Sequence, residues 1–142
     1  MCSSDLVLNV SRAIQMALKE AGIGPGNVQY VNLHGTATQL NDRIETRALK
    51  LVLNSHAHKV PMSSLKSQIG HAQGACGAAG VAATLVAMQQ GQLPPNINLE
   101  APDPDCDLDY VPQPGRKARI DNAICNCVGF GSKNSALVLR KL

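Results

Sequence analysis

Two histidines and a lysine stand beside glycines at the points where predicted strands end. His34 opens the run His34-Gly35-Thr36-Ala37-Thr38, and Lys66 lies five residues before His71, across a short segment. A glycine beside each histidine lets the backbone approach a ligand closely. Two imidazoles and an ammonium that converge on one point could stabilise a negative oxygen that develops during a reaction. A third polar segment, Gly129-Phe130-Gly131, also follows a predicted strand, and strand ends are where α/β folds assemble their sites.

The hydrophobic pattern separates these segments by alternating helices and strands. Apolar residues at three- and four-residue steps predict helices, the second of them capped by Asn41 or Asp42, and short runs bounded by turn residues predict strands. The predicted helices are 9–21, 42–53 and 72–90, and the predicted strands are 28–33, 60–65, 123–128 and 135–140. We expect an α/β fold with a mixed sheet of about five strands, helices on both faces, and an antiparallel hairpin at the end.

The predicted helix over 72–90 has an unusual composition. It carries Gly74, Gly77 and Gly80, and each glycine disfavours a helix by about 0.5–1 kcal/mol relative to alanine. The segment also has no polar face. A helix of this kind is explained if it is buried on all sides and other backbones approach it closely, so we predict a central core helix.

The composition is that of one ordinary domain. With 142 residues and 44% hydrophobic content the chain can form a single core, and 2% aromatic residues indicate small aliphatic side chains there. The net charge of +3 is spread over scattered Lys and Arg residues, which argues against nucleic acid as a partner. No membrane span or leader segment is visible, so we expect a cytoplasmic protein. Five cysteines without a C-x-x-C pair indicate reduced thiols rather than a disulfide framework or a zinc site.

Other patterns that could bind ligands are weaker. His56-x-His58 could chelate a metal on a strand, but its polar neighbours favour an exposed turn, so we predict no metal site. The acidic residues of 103–109 lack a calcium loop that ends in a bidentate glutamate. Gly129-x-Gly131 lacks the further glycines of a nucleotide-binding loop, and Cys125-x-Cys127 is interpreted as a pair of small core residues.

Six segments, in order along the chain, closely resemble signatures of one family. The segments resemble those in the C-terminal half of the beta-ketoacyl-acyl-carrier-protein synthases, which are elongating condensing enzymes of the thiolase-like superfamily. The segments are V-N-L-H-G-T-A-T (31–38), L-N-D-x-x-E-T (40–46), S-S-L-K-S-Q-I-G-H (63–71), L-P-P-N-I-N-L (93–99), D-L-D-Y-V-P (107–112) and N-C-V-G-F-G-S-K-N (126–134). The resemblance covers nearly the whole of 1–142 and implies a thiolase-like half as the fold.

The resemblance also implies roles for residues of this chain. His34 and His71 match two histidines that stabilise an enolate, and Lys66 matches a lysine that orients His71. Glu45 matches an acidic residue near that lysine, which would help to keep the lysine charged. The remaining matches are Thr36 and Thr38, which would bind the phosphopantetheine arm of a carrier, and Gly129, Phe130 and Gly131, which would form a gating and oxyanion loop.

The implied activity is acyl transfer in fatty-acid or polyketide-like biosynthesis. Malonyl-acyl-carrier protein would condense, with loss of carbon dioxide, with an acyl chain held on a cysteine, and no cofactor beyond the carrier's phosphopantetheine is expected. That cysteine belongs to the family's N-terminal half, and we interpret the likeness of Cys2-Ser3-Ser4 to its surroundings as coincidental. We therefore expect the 142 residues alone to be inactive. The expected partners are acyl-carrier protein, an N-terminal half and a second copy in a homodimer. The alternatives are a truncated malonyl decarboxylase and a non-catalytic partner subunit.

Overall fold

A four-stranded mixed sheet forms the centre of the computed structural model, which describes residues 3–129, 131 and 133–142. The helices are α1 (Ser3–Glu20), α2 (Gln39–Leu53), α3 (Lys66–Ile69) and α4 (Cys76–Gln90). The strands are β1 (Tyr30–Asn32), β2 (Met62–Ser63), β3 (Gln92–Leu93), β4 (Arg116–Lys117), β5 (Asn122–Val128) and β6 (Asn134–Arg140). Short 3-10 turns lie at Pro25–Asn27, Asn54–Lys59 and Gln73–Ala75. Within the described residues, no helix is both long and apolar enough to cross a membrane.

The strands of the main sheet lie in the order β2-β1-β5-β6. β1 is parallel to both β2 and β5, and β5 forms the expected antiparallel hairpin with β6. The mixed α/β architecture is therefore confirmed, but the main sheet has four strands rather than about five. Beyond β2 a single bridge in the described part of the chain joins Met62 to Tyr110. The pairing stops there because Ser64 N–H, the next donor, binds Asn96 Oδ1, and the Val111 carbonyl oxygen accepts from Asn96 N–H. β3 and β4 form a separate two-stranded antiparallel sheet.

The two faces of the sheet are covered by different helices, as predicted. Side chains alternate along a strand, so Ile124 of β5 packs in a core with α1 and α2, whereas Ala123 packs in a second core with Met88 of α4. The first core is the larger and includes Val10 and Ile14 of α1. The amphipathic first helix is thus confirmed, although it begins at Ser3 rather than at residue 9.

Helix α2 begins earlier than the sequence suggested. Thr38 is its extended N-cap residue, and Asn41 and Asp42 lie inside the first turn instead of capping it. Because of this early start, the first residue of α2, Gln39, directly follows the His34-to-Thr38 run. Glu45 lies in the second turn of the helix, on its buried side.

Helix α4 is buried on one side only, which corrects the prediction of burial on all sides. Gly80 and Thr84 face the sheet, whereas Leu85 and Val86 are 49% and 48% exposed. The close approach that explained the glycines holds at Gly80, where a Cβ atom would lie 3.0 Å from Cys125 Sγ. The helix begins at Cys76 rather than at residue 72, so Gly74 lies outside it, in the short 3-10 turn Gln73–Ala75. At Gly77 a Cβ atom would meet nothing within 4 Å, so close packing within this chain does not explain that glycine.

Candidate active site

The parallel pairing of β1 and β2 brings the predicted chemical residues together. His34 follows β1, and Lys66 begins α3 just after β2, so both emerge at the same edge of the sheet. Lys66 Nζ donates to the His34 carbonyl oxygen at 2.6 Å and lies 3.4 Å from His34 Nδ1. The rings of His34 and His71 meet edge to face, with their centroids 5.7 Å apart. The three residues therefore form one cluster.

His34 is held in its neutral form. The ring is buried, with 7% of the residue exposed, and burial is the main cause that lowers its pKa from the ordinary 6.5 to about 4. The positive charge of Lys66 lowers it further, and His71 adds a smaller effect in the same direction. At neutral pH His34 is thus a neutral imidazole that can donate a hydrogen bond from one nitrogen and accept at the other.

The hydrogen bonds of the cluster decide which nitrogen of each ring carries the proton. A lysine ammonium has no acceptor, so Lys66 Nζ is the donor to His34 Nδ1. At His71, the backbone N–H of Gln73 donates to Nδ1 at 3.0 Å. Both Nδ1 atoms accept, and the ring proton of each histidine is therefore on Nε2. The cluster thereby holds two Nε2–H donors beside an ammonium.

Two expected contacts of the cluster are different in the structure. Lys66 was expected to orient His71, but its hydrogen bonds go to His34. Glu45 was expected beside Lys66, but its carboxylate accepts hydrogen bonds from the backbone N–H groups of His34 at 2.8 Å and Gly35 at 2.9 Å. It also accepts a hydrogen bond from Asn126 Nδ2 at 3.1 Å. Because Glu45 is an acceptor at the start of this loop, it fixes the backbone that carries His34 rather than the lysine.

Glu45 is almost fully buried, with 2% of the residue exposed. Burial raises the pKa of its carboxyl group, and the three hydrogen bonds oppose that rise. The Asn126 contact ties the end of β5 to the same loop, so three segments distant in sequence are joined at one carboxylate. Asn126 was not singled out from the sequence as a site residue, although it begins the last of the six signature segments.

Gly35 allows the loop to pass close to the segment after β2. Its φ is +38°, and a Cβ atom there would lie 2.6 Å from Ser64 Cβ. Ser64 Oγ donates to the Gly35 carbonyl oxygen at 2.8 Å, and Ser64 N–H donates to Asn96 Oδ1 at 2.9 Å. The sequence predicted that the glycine beside His34 lets the backbone approach a ligand closely, whereas the close approach in the structure is to the side chain of Ser64.

Thr36 and Thr38 line a cavity next to the histidine cluster. Their hydroxyl groups are 2.9 Å apart and hydrogen-bonded to each other. The cavity has a volume of about 730 Å³, and Lys66 and His71 also line it. It is large enough for the end of an extended chain to reach the histidine cluster.

The third predicted segment is described only in part. The N–H of Gly129 donates to the Lys133 carbonyl oxygen at 3.0 Å and closes the turn between β5 and β6. Gly131 has a φ of +68°, a conformation that favours glycine. Phe130 lies outside the described residues, as does Cys2, so the gating role of Phe130 stays a prediction.

The residues of the weaker patterns contact other parts of the chain. His56 Nε2 lies 2.8 Å from the Val28 carbonyl oxygen, in the turn after α2. The acidic residues of 103–109 pair with cations: Arg43 binds Asp103 and Asp105, and Lys50 binds Asp107. These carboxylates pin the 103–107 segment against α2, which forms one wall of the cavity.

Comparison of the sequence with known proteins gives consistent matches. Residues 6–100 match the profile described as the beta-ketoacyl synthase C-terminal domain. The chain is 47% identical to a putative polyketide beta-ketoacyl synthase 1 of Streptomyces virginiae, over 92% of this chain and 31% of that protein. It is also 47% identical to 3-oxoacyl-[acyl-carrier-protein] synthase 2 of a Synechocystis strain, over 92% of this chain and 32% of that protein. The chain thus spans about a third of the length of these curated relatives.

Solved structures of ketosynthases have the same fold as this chain. A type II polyketide ketosynthase in complex with its acyl-carrier protein superposes with a TM-score of 0.90 at 41% identity, over 94% of this chain and 33% of that one. A beta-ketoacyl synthase from Burkholderia phymatum gives a TM-score of 0.88 at 35% identity, over 94% and 32% of the two chains.

Proposed function

Because the chain belongs to the beta-ketoacyl synthase family and contains its C-terminal domain, we propose that it supplies the enolate-stabilising half of a decarboxylative condensation site. The substrates are an acyl thioester and malonyl-acyl-carrier protein. The observation that carries the proposal is the cluster of His34, His71 and Lys66, in which both imidazoles present an Nε2–H donor.

The cluster suits the chemistry of malonyl decarboxylation. When the bond to the carboxylate carbon breaks, carbon dioxide leaves and the electron pair moves into the thioester, so that negative charge gathers on the carbonyl oxygen. Two fixed N–H donors stabilise that oxygen more than the neutral carbonyl of the ground state. His34 suits this role because its low pKa keeps it a neutral donor that does not protonate the enolate. The positive charge of Lys66, at the same edge of the sheet, also attracts the negative charge that develops on this oxygen.

The enolate carbon then forms a bond to the acyl carbonyl carbon, and the thiolate that held the acyl group leaves. We propose that this thiol is contributed by a cysteine outside the present chain, as the resemblance implies. The reaction transfers no hydride or electron and calls for no redox cofactor.

The cavity beside Thr36 and Thr38 is the proposed path for the carrier's phosphopantetheine arm. The two hydroxyl groups can donate to and accept from the amides of such an arm. An acyl-carrier protein is the proposed partner, and a related ketosynthase has been solved in complex with one.

The test is complementation. The chain is co-expressed with the cysteine-bearing part of the related Synechocystis synthase, and formation of 3-ketoacyl carrier protein is measured. We expect activity in the pair and none in the chain alone. His34→Ala and His71→Ala should each lower kcat by about 100-fold or more, because each removes one oxyanion donor.

His58→Ala is the matched control, since His58 is exposed in the turn after α2 and should leave kcat unchanged. Full activity in His34→Ala or in His71→Ala would contradict the proposal. Release of carbon dioxide from malonyl carrier without any condensation product would indicate the decarboxylase alternative. No turnover in any combination would indicate a non-catalytic subunit.

A further inference from the structure

The turn between His71 and helix α4 is built around the ring of His71. Gln73 has a φ of +51°, which is unusual for a residue with a side chain, and the conformation directs its N–H at His71 Nδ1. The N–H of Ala75 then donates to the Ala72 carbonyl oxygen, and α4 begins at Cys76. The thiol of Cys76 is thereby brought back to the same ring, with Sγ 3.4 Å from His71 Nδ1.

The direction of the contact between Cys76 and His71 follows from the first hydrogen bond. Since Gln73 N–H donates to Nδ1, that nitrogen carries no proton and can only accept. A thiol can donate weakly, and 3.4 Å is a normal distance for a hydrogen bond that involves sulfur. Cys76 is therefore the donor, and the Nδ1 atom of His71 is shared between two donors.

His71 needs such support because the residue is exposed. His34 is fixed by burial and by Lys66, whereas His71 has solvent on much of its surface and meets His34 only at a ring edge. An exposed side chain keeps its rotamer freedom unless specific contacts hold it. The Gln73 N–H and the Cys76 thiol hold the ring from the side opposite to Nε2.

We propose that Cys76 is a positioning residue for His71: its thiol, with the backbone N–H of Gln73, fixes the orientation and the Nε2–H tautomer of the ring. The consequence for turnover rests on the proposed function, whereas the effect on the ring itself does not. Cys76 is half-buried at the start of a helix that has glycine or alanine at each of its next three positions, so no neighbour there can replace the thiol as a side-chain donor.

The first test is nitrogen NMR of the histidine rings in the 142-residue chain, at neutral pH. Wild-type His71 should show a protonated Nε2 and a hydrogen-bonded Nδ1. In Cys76→Ala the Nδ1 resonance should move toward that of a free, unbonded ring nitrogen. Cys76→Ser should keep the wild-type position because a hydroxyl group also donates. Cys106→Ala is the matched control, since Cys106 is a half-buried thiol with no contact to either ring among the described residues.

An unchanged His71 spectrum in Cys76→Ala would overturn the proposal, and so would a Cys76→Ser spectrum displaced as far as that of the alanine variant. The His34 resonances report folding in the same samples. If Cys76→Ala does not fold, the isosteric pair Cys76→Thr and Cys76→Val gives the same comparison of donor against non-donor.

The second test is kinetic and uses the complemented enzyme. Cys76→Ala should lower kcat by about fivefold at constant KM, as a loosened but present donor would, and Cys76→Ser should restore it. Equal kcat values in all three proteins would overturn the part of the proposal that concerns turnover. If the NMR result holds while no enzyme pair condenses malonyl carrier, the proposed function fails and the positioning of the ring stands.

Discussion

Replacement of Lys66 by methionine should raise the pKa of His34 by about one pKa unit, from about 4 to about 5. Burial is the larger cause of the depressed pKa, and the charge of Lys66 is the second. Nζ lies 3.4 Å from His34 Nδ1, so its positive charge opposes protonation of the ring. The His34 pKa falls from 6.5 to about 4, a difference of about 2.5 pKa units, and because burial is the larger cause, the Lys66 charge accounts for about one pKa unit of it.

The assay is an NMR titration of the His34 ring. Lys66→Arg keeps the charge and is the control, which should leave the pKa near 4. If Lys66→Met left the pKa unchanged, the lysine charge would have no role in holding His34 neutral. If it restored the pKa to 6.5, the assignment of burial as the main cause would be wrong.

Three further predictions concern the free energy of unfolding, measured by urea denaturation. Glu45→Gln should lower it by about 2 kcal/mol, because an NH2 group then faces an N–H donor of His34 or Gly35; no change would show that the carboxylate does not hold this loop. Gly35→Ala should lower the free energy of unfolding by about 3 kcal/mol, because the new Cβ atom would clash with Ser64 and the positive φ would be strained. The control Gly26→Ala, at a position with open space around it, should change the free energy of unfolding by less than about 0.5 kcal/mol. The lowered pKa of His34 contributes stability that is present above pH 6.5 and lost as the pH falls through about 4. Over that range the wild type should lose about 2 kcal/mol more than His34→Asn, once solvent screening is allowed for. Parallel pH curves of the two proteins would contradict this.

Local pattern was sufficient to predict the three long helices and the hairpin, but not the short helix α3. Val10, Ile14 and Leu18 lie on one face at helical spacing, and the structure buries all three. Element ends were less accurate: α1 and α2 begin before their predicted starts, α4 begins four residues after its predicted start, and β1 and β2 are shorter than the predicted strands. Strand length and number depend on which neighbour supplies hydrogen bonds, and a local pattern does not contain that information.

The burial of α4 shows the same limit. Its composition indicated close packing, and Gly80 does lie against Cys125. The sequence of the helix does not specify how many of its sides meet a partner within the chain, and Leu85 and Val86 remain exposed.

The sequence by itself determined the α/β class and the family, and it singled out His34, Lys66 and His71 as candidates, because these depend on residue types and on spacing within short segments. Only the tertiary structure decided the contacts among them. Lys66 bonds to His34 rather than to His71, and Glu45 binds the loop backbone and Asn126 rather than Lys66. Such contacts join residues that are distant in the chain, and they depend on the parallel order of β2, β1 and β5, which sets the residues at one edge of the sheet.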